Sequence, residues 1–520
     1  MGFATTSRMQ LKQPTVSSSG SNVDSQHTLR PPSLWCRMNS SPRRMIFLVI
    51  ILVTFEALRN VVILNKIFTV YDKSHDVTFG LPTVWTPSSS ISCDQLDKRN
   101  ILVVSSSTSP KKTIIAYATS ITAYDPKDSD KKLIDRAAVL HQSIRLAAQR
   151  SVKYDYHMYA FVHPDAVQCA PMLRNLGYRV QIRETPFNAS AIPNEDLRIA
   201  QKNGCCGAKE YLKLYSYLLL DYPIVVHLDL DTIVLKSMDQ VFDMMTENKP
   251  TTKQRQRFAS ESSMWFKNAT ASTTLTTMPK RIDFMFTRDY NMVDPPSKQV
   301  HQMGVQGGFL LVRPNRGDFD DMVNLILSGG DGYTISNGWG RPKDDAVGGF
   351  YGAGTIQGLA SYYYGRVENG TRSVELNRCY YNTMVDNPHS FNKHLNKTLC
   401  TTLEPHLSCE DCRQTTLDKV YTAHFTVCGK PEWCSVVDPN TKKSGRLCMG
   451  LFREWHKVRL SLEIEWMQKF SHYVPDLVHV NASDSRDKYL RSFFHGHCRG
   501  GEYLPIRFPN LSDNVSVLIE

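Results

Sequence analysis

The sequence has no run of five or six Lys/Arg and no basic stripe interleaved with aromatics; its net charge of +11 is spread over 520 residues. That distribution argues against a nucleic-acid partner. No internal repeat at a solenoid period is present, which excludes a stacked-repeat architecture. Long apolar runs are nearly absent too. Only the stretch from Met45 to Leu64 suffices for a bilayer crossing, which takes about 20 residues. Apolar residues are not scarce overall. A composition of 41% hydrophobic and 21% charged residues is that of a globular protein. The length has room for one large catalytic domain or two ordinary ones.

Glu56, Arg59 and Asn60 interrupt the second half of the apolar stretch. On a helix Glu56 and Arg59, three apart, can face and partly neutralise each other. Arg37, Arg43 and Arg44 precede the stretch and favour a cytoplasmic N-terminus. The expectation is a signal anchor at 45–64 in a single-pass type II protein of the Golgi or ER membrane. A cleavable signal peptide and a buried soluble helix are the alternatives. The signal peptide is opposed by a leader of over forty residues and by the lack of an A-x-A site. Downstream lie Asn-x-Ser/Thr triplets at Asn188, Asn268, Asn369, Asn396, Asn481, Asn510 and Asn514. Cys36 precedes the stretch and the other twelve cysteines follow it, an even number on the side expected to be oxidising.

Residues 1–44, rich in Ser, Pro and Arg, read as a disordered cytoplasmic tail, and 65–111 as a stem. From Lys112 the pattern changes. Thr113–Thr119 suits a buried strand, Lys131–Arg150 a helix, Tyr156–His163 a strand, Val167–Leu176 a helix closed by Gly177, and Arg179–Thr185 a strand. This alternation predicts an α/β domain over 112–470 with a largely parallel sheet. The polar stretch at about 251–303 reads as an insertion outside the core. A Cys-rich segment spans 400–448, and 471–520 is a C-terminal extension.

The sharpest chemical signal is Ile224-Val225-Val226-His227-Leu228-Asp229-Leu230-Asp231, a β-branched run ending in two carboxylates. Where the strand turns, both can reach one point, and a hard divalent cation wants oxygen ligands. A solvated turn with two surface acids is the bland alternative. Ser237-Met238-Asp239-Gln240 has capping-box spacing for a following helix. Upstream, Glu210–Leu218 reads as an apolar-rich helix whose Lys213 either snorkels to the surface or points at a phosphate. Downstream, His424 and Lys430 stand on a Gly/Pro-punctuated loop. Cys409-x-x-Cys412 has zinc-ligand spacing, but disulfides suit an oxidising compartment better. Cys205-Cys206 is expected to anchor its loop in the same way.

In this order the pieces resemble the glycogenin-like retaining glycosyltransferases of family 8, over roughly Thr113 to Trp433. The resemblance rests on Lys213-Leu214, Asp229-Leu230-Asp231 with Thr232–Leu235, and Asp239–Phe242. It continues through Gln306-Gly307-Gly308-Phe309, Gln357-Gly358-Leu359, His424-Phe425 and Lys430-Pro431. It implies a GT-A fold and hexosyl transfer from a UDP-sugar to a glycan or glycoprotein acceptor. By the same resemblance Asp229, Asp231 and His424 would bind Mn²⁺ or another divalent metal. Lys430 would contact the donor diphosphate, and Lys213, Gly308 and Thr119 the donor, Thr119 near the base. Gln306 and Gln357 would lie along the sugar as the candidate catalytic positions.

Departures fall on the acceptor side. Ile356 stands where the family has Asp, Gln306-Gly307-Gly308 replaces an Asn-Ser-Gly triplet, Val427 replaces a Gly, and Glu432 is inserted before Trp433. Asp344 or Asp345 is a candidate substitute acid. These departures motivate the alternative of a non-catalytic lumenal scaffold or lectin-like protein on the same fold.

Overall fold

The computed structural model describes residues 111–124, 131–202, 207–246, 262–263, 279, 281–292, 304–341, 346–388, 410–435, 445–470, 473–475, 492–499 and 501–509. All lie within the unit Val104–Glu520. The expected tail, the anchor at 45–64 and almost all of the stem lie outside them, as do Asp344, Asp345, Cys205, Cys206, Cys400 and Cys409. Among the described residues no helix is long and apolar enough to cross a membrane.

The alternating pattern folds as a mixed α/β domain. Its strands are β1 (Thr113–Ile121), β2 (Tyr154–Val162), β3 (Arg179–Ile182), β4 (Val225–Leu228), β5 (Thr232–Val234), β6 (Ser262–Ser263), β7 (Phe284–Arg288), β8 (Val305–Val312), β9 (Ser373–Leu376), β10 (Tyr381–Thr383) and β11 (Thr422–His424). One sheet has eight strands in the order β3-β2-β1-β4-β8-β7-β9-β6, a second has β10-β11-β5, and a third pairs β12 (Cys498–Arg499) antiparallel with β13 (Glu502–Tyr503). The β3-β2-β1-β4 half is parallel, while β8 runs antiparallel to both β4 and β7.

Alternate residues of the central strands feed two apolar layers. Val226, Leu228, Phe309 and Leu311 pack on one face, and Val225, Leu310 and Val312 on the other. Burial on both faces explains why these strands read as continuous apolar runs. Helix α1 (Lys131–Gln149) packs on β5 and on the long helix α7 (Gly445–Lys469). Between them in sequence are α2 (Ala170–Asn175), α3 (Glu195–Ala200), α4 (Asp239–Met245), α5 (Arg316–Leu327) and α6 (Ile356–Tyr362).

Four expectations change. The stretch 251–303 is not all insertion, because β7 lies inside it with Phe284, Met285 and Phe286 wholly buried in the large sheet. The polar residues around this short run masked its strand character. The Val167–Leu176 helix is a 3₁₀ turn (Pro164–Cys169) followed by α2, and Gly177 closes it at φ +90. The capping box before α4 does not form. Met238 is the N-cap with no side-chain bond, while the Ser237 hydroxyl bonds the Asp239 carboxylate, which also accepts from Ser151 at 2.8 Å. Gly207–Leu218, finally, is 3₁₀ and not α-helical. Its period of three residues per turn stacks positions 210, 213 and 216 in one row, and that row faces the end of β4.

The cysteines form disulfides Cys379–Cys412, Cys428–Cys448 and Cys434–Cys498. Cys412 is thereby removed from any zinc site. The C-terminal stretch contributes Phe494, Cys498 and Ile506 to the core.

Candidate metal centre

The loop Asp229-Leu230-Asp231 joins β4 of the large sheet to β5 of the small one. Both of its ends are fastened. The Asp229 N–H donates to Gly308 O on β8 (3.1 Å), and the Phe425 N–H donates to Asp231 O (2.9 Å). The second bond follows from strand register, since β11 lies antiparallel to β5 with His424 opposite Thr232. That pairing carries the imidazole to the loop. His424 Nε2 lies 3.1 Å from Asp231 Oδ1 and 3.9 Å from Asp229 Oδ2. One ligand atom from each of Asp229, Asp231 and His424 falls within 4.8 Å of the others. Two carboxylate oxygens and an imidazole fit a divalent cation, and three protein ligands leave positions for oxygens of a bound molecule.

Two lysines face the same carboxylates. Lys213, which a snorkelling role would expose, is buried. Its Nζ donates to Glu210 Oε2 (2.8 Å), Asp229 Oδ1 (2.9 Å) and Gly307 O (3.0 Å). Lys430 Nζ contacts Asp231 Oδ2 and Phe425 O. Burial disfavours every charge here, but pairing outweighs it. His424 is raised above the usual imidazole range by Asp231 and then Asp229. His424 and Lys430 hold Asp231 well below the carboxylate range, and Lys213 and then His424 lower Asp229. Asp229 and Glu210 keep Lys213 charged.

Gly308 forms the floor of this centre. A β-carbon there would stand 2.5 Å from both Asp229 Oδ2 and His424 Cε1. The two glutamines are close by, with amides engaged by the backbone. Gln306 Oε1 accepts from the Gly308 N–H (2.7 Å) and from Asn382 Nδ2 (3.2 Å). Gln357 Oε1 accepts from the Gly307 N–H (3.0 Å), and its Nε2 donates to Tyr351 O (3.2 Å). Thr119 lies near the carboxyl end of β1, one residue past the Ala118–His227 pair of β1 and β4. It is buried, and its hydroxyl has no hydrogen-bond partner among the described residues. β1 and β4 are neighbours at the switch in strand order, where α/β sheets bind ligands.

Sequence reasoning missed Asp289 and Glu210. Asp289 follows β7, is buried, accepts from the Asn291 N–H (3.0 Å), and hydrogen-bonds the Gln306 side chain. Burial pushes its carboxyl up to about 6. The signal was present, because Phe284-Met285-Phe286 followed by Asp289 repeats the logic of an apolar strand ending in an acid. Ile356 fills its position with a buried apolar side chain beside Gly307. The inserted Glu432 is buried and paired to Arg136 Nε (2.7 Å), while Trp433 is 56% exposed.

No family model matches the sequence, and no curated protein matches it. Among solved structures the chain is similar to mouse xyloside xylosyltransferase 1 in its apo form, at 12% identity over 61% of this chain and 98% of that one (TM-score 0.34). It is similar to the galactosyltransferase LgtC in complex with donor and acceptor sugar analogs, at 13% identity over 69% of this chain and 100% of that one (TM-score 0.34). It is also similar to the glycosyltransferase GlyE of Streptococcus pneumoniae TIGR4, at 12% identity over 71% of this chain and 67% of that one (TM-score 0.33).

Proposed function

We propose that this chain is a metal-dependent retaining glycosyltransferase that moves a hexose-type sugar from a UDP-sugar to a glycan or glycoprotein. The observation that carries this reading is the convergence of Asp229, Asp231 and His424 within 4.8 Å, with the Lys213 and Lys430 ammonium groups on the two carboxylates. A lectin-like protein has no need of so concentrated a set of cation-binding and diphosphate-binding groups.

In this reading the cation, Mn²⁺ by family resemblance, supplies charge neutralisation on the departing diphosphate. Lys430 swings from Asp231 to the diphosphate and adds a fixed positive charge. Lys213 stays buried and holds Asp229 in its ionised form. Gln306 and Gln357 brace the Gly307-Gly308 backbone on which the centre rests. The acceptor hydroxyl oxygen bonds to the anomeric carbon on the face that the diphosphate leaves. The carbon–oxygen bond to the diphosphate breaks, and the hydroxyl proton passes to the diphosphate oxygen. Thr119, at the carboxyl end of β1, serves the base. The apolar stretch at 45–64 anchors the chain, with the catalytic unit in the Golgi or ER lumen.

The test is thermal shift and donor hydrolysis with the purified full chain across a panel of UDP-sugars, with and without Mn²⁺. A donor that stabilises the protein only with Mn²⁺, and is turned over, supports the reading. Absence of both effects across the panel refutes it and favours the scaffold alternative.

A further inference from the structure

Behind the Lys430 turn, and outside the metal centre, lies a row of wholly buried polar groups from two other parts of the chain. His456 and Glu463 are on α7, and His497 comes from the C-terminal stretch. His456 Nε2 lies 3.2 Å from Pro431 O, His456 Nδ1 lies 3.1 Å from His497 Nδ1, and His497 Nε2 lies 2.9 Å from Glu463 Oε2. The other carboxylate oxygen, Glu463 Oε1, accepts from Arg459 Nε (3.0 Å) and Nη2 (2.9 Å). The charged and titratable groups around the row are Arg459, His495 on the His497 side, and Asp135 and Tyr503 next to Arg459.

The three contacts fix a proton count. A carbonyl only accepts, so His456 Nε2 carries a hydrogen. Each of the other two contacts also needs one hydrogen, which makes three. Two neutral imidazoles and a carboxylate together supply two. The row therefore holds one proton more than its members would in neutral water, wherever along it that proton sits. Without it, two lone pairs face each other in a site that water does not reach, which is costly.

We infer that His456, His497 and Glu463 form a proton-filled positioning relay that fixes the Pro431 carbonyl and thereby aims Lys430 at the donor diphosphate. The sequence position supports this, because Pro431 directly follows Lys430 and the relay holds its carbonyl. The disulfide Cys434–Cys498 ties the same turn to the strand that follows His497. The inference rests on the proposed contact between Lys430 and the diphosphate. None of the three residues touches the metal-ligand atoms, so the relay acts on nucleotide binding and leaves the bare cation site alone.

The test uses the full chain and two probes, Mn²⁺ alone and UDP in the presence of saturating Mn²⁺, by calorimetric titration. Glu463→Gln is the informative variant. Its amide N–H supplies the third hydrogen to a neutral His497, and its carbonyl still accepts from Arg459. Glu463→Gln is expected to bind UDP within about twofold of wild type, whereas Glu463→Ala and His456→Phe lose about tenfold. Mn²⁺ alone should bind all of them alike. UDP binding by Glu463→Ala and His456→Phe at wild-type strength would overturn the relay, and so would a loss in Glu463→Gln equal to that in Glu463→Ala. Should one truncation unfold, the contrast between Glu463→Gln and the other still decides. If wild type binds Mn²⁺ but no UDP, the proposed function falls and takes the relay's role with it. If wild type binds UDP and the variants do not differ, the relay falls alone.

Discussion

Gly308 and Asp229 are in such close contact that there is no room for a methyl group between them. The Asp229 N–H is bonded to Gly308 O, and a β-carbon on residue 308 would stand 2.5 Å from Asp229 Oδ2. Asp229 cannot swing aside freely, because Lys213 holds its other oxygen at 2.9 Å. Gly308→Ala is therefore expected to spread Asp229 and His424 apart. Mn²⁺ affinity should fall at least about tenfold, with a stability cost of about 1–3 kcal/mol from overpacking. Calorimetric titration with Mn²⁺, alongside circular dichroism, separates the two effects.

Asp229→Ala or Asp231→Ala is expected to abolish Mn²⁺ binding and sugar transfer while leaving the domain folded. The same centre predicts a pH dependence. His424 is raised above the ordinary imidazole value by Asp231 and Asp229, so it keeps its proton to a higher pH than a free imidazole. A cation needs the neutral ring and competes with that proton. Mn²⁺ affinity should therefore weaken as pH falls, beginning above the usual imidazole range. Titrations in buffers of different ionisation enthalpy should show proton release. An affinity independent of pH would rule His424 out as a ligand.

Asp135 gives a stability signal of defined sign. Its Oδ2 accepts from Tyr503 OH (2.8 Å) and the Ile506 N–H (2.9 Å), and burial pushes its carboxyl up to about 7 from 3.8. Between these values the folded chain binds more protons than the unfolded one, so stability falls as pH rises. The contribution is fully present below the unfolded value and is lost as pH rises through about 7. Asp135→Asn keeps an acceptor without a charge to bury. Its Tm relative to wild type should climb between about pH 4 and 7 and level off above. A constant difference in scanning calorimetry would contradict this.

Arg136 pairs with Glu432, a carboxylate with only 1% of its side chain exposed. Arg136→Met leaves that charge buried and uncompensated, and should cost about 3 kcal/mol in chemical denaturation. Adding Glu432→Leu should restore most of the loss. A double variant no better than Arg136→Met would mean that packing of the Arg136 stem dominates the pair.

Much of this fold is written in local pattern. β1, α1 and β4 are legible because apolar period and strand ends depend on adjacent residues, and the acid pair after β4 was visible for the same reason. β7 was not, since its five residues sit within a long polar stretch. The 3₁₀ geometry of 207–218 was not legible either. Its three-residue row is held by contacts to Asp229, Gly307 and His227, none of which lies on the helix itself.

The sequence by itself determined the types of group available: two acids at a strand end, a histidine with a lysine six residues after it, and cysteines enough for disulfides. Only the tertiary structure decided which of them meet. The pairing of β11 with β5 brings His424 to Asp231, and burial turns Lys213 from a surface residue into a partner of Asp229. The stacking of α7 against the C-terminal stretch closes the His456–His497–Glu463 row. These are contacts between residues far apart in the chain. Their geometry is set by strand register and core packing, which no local window of sequence contains.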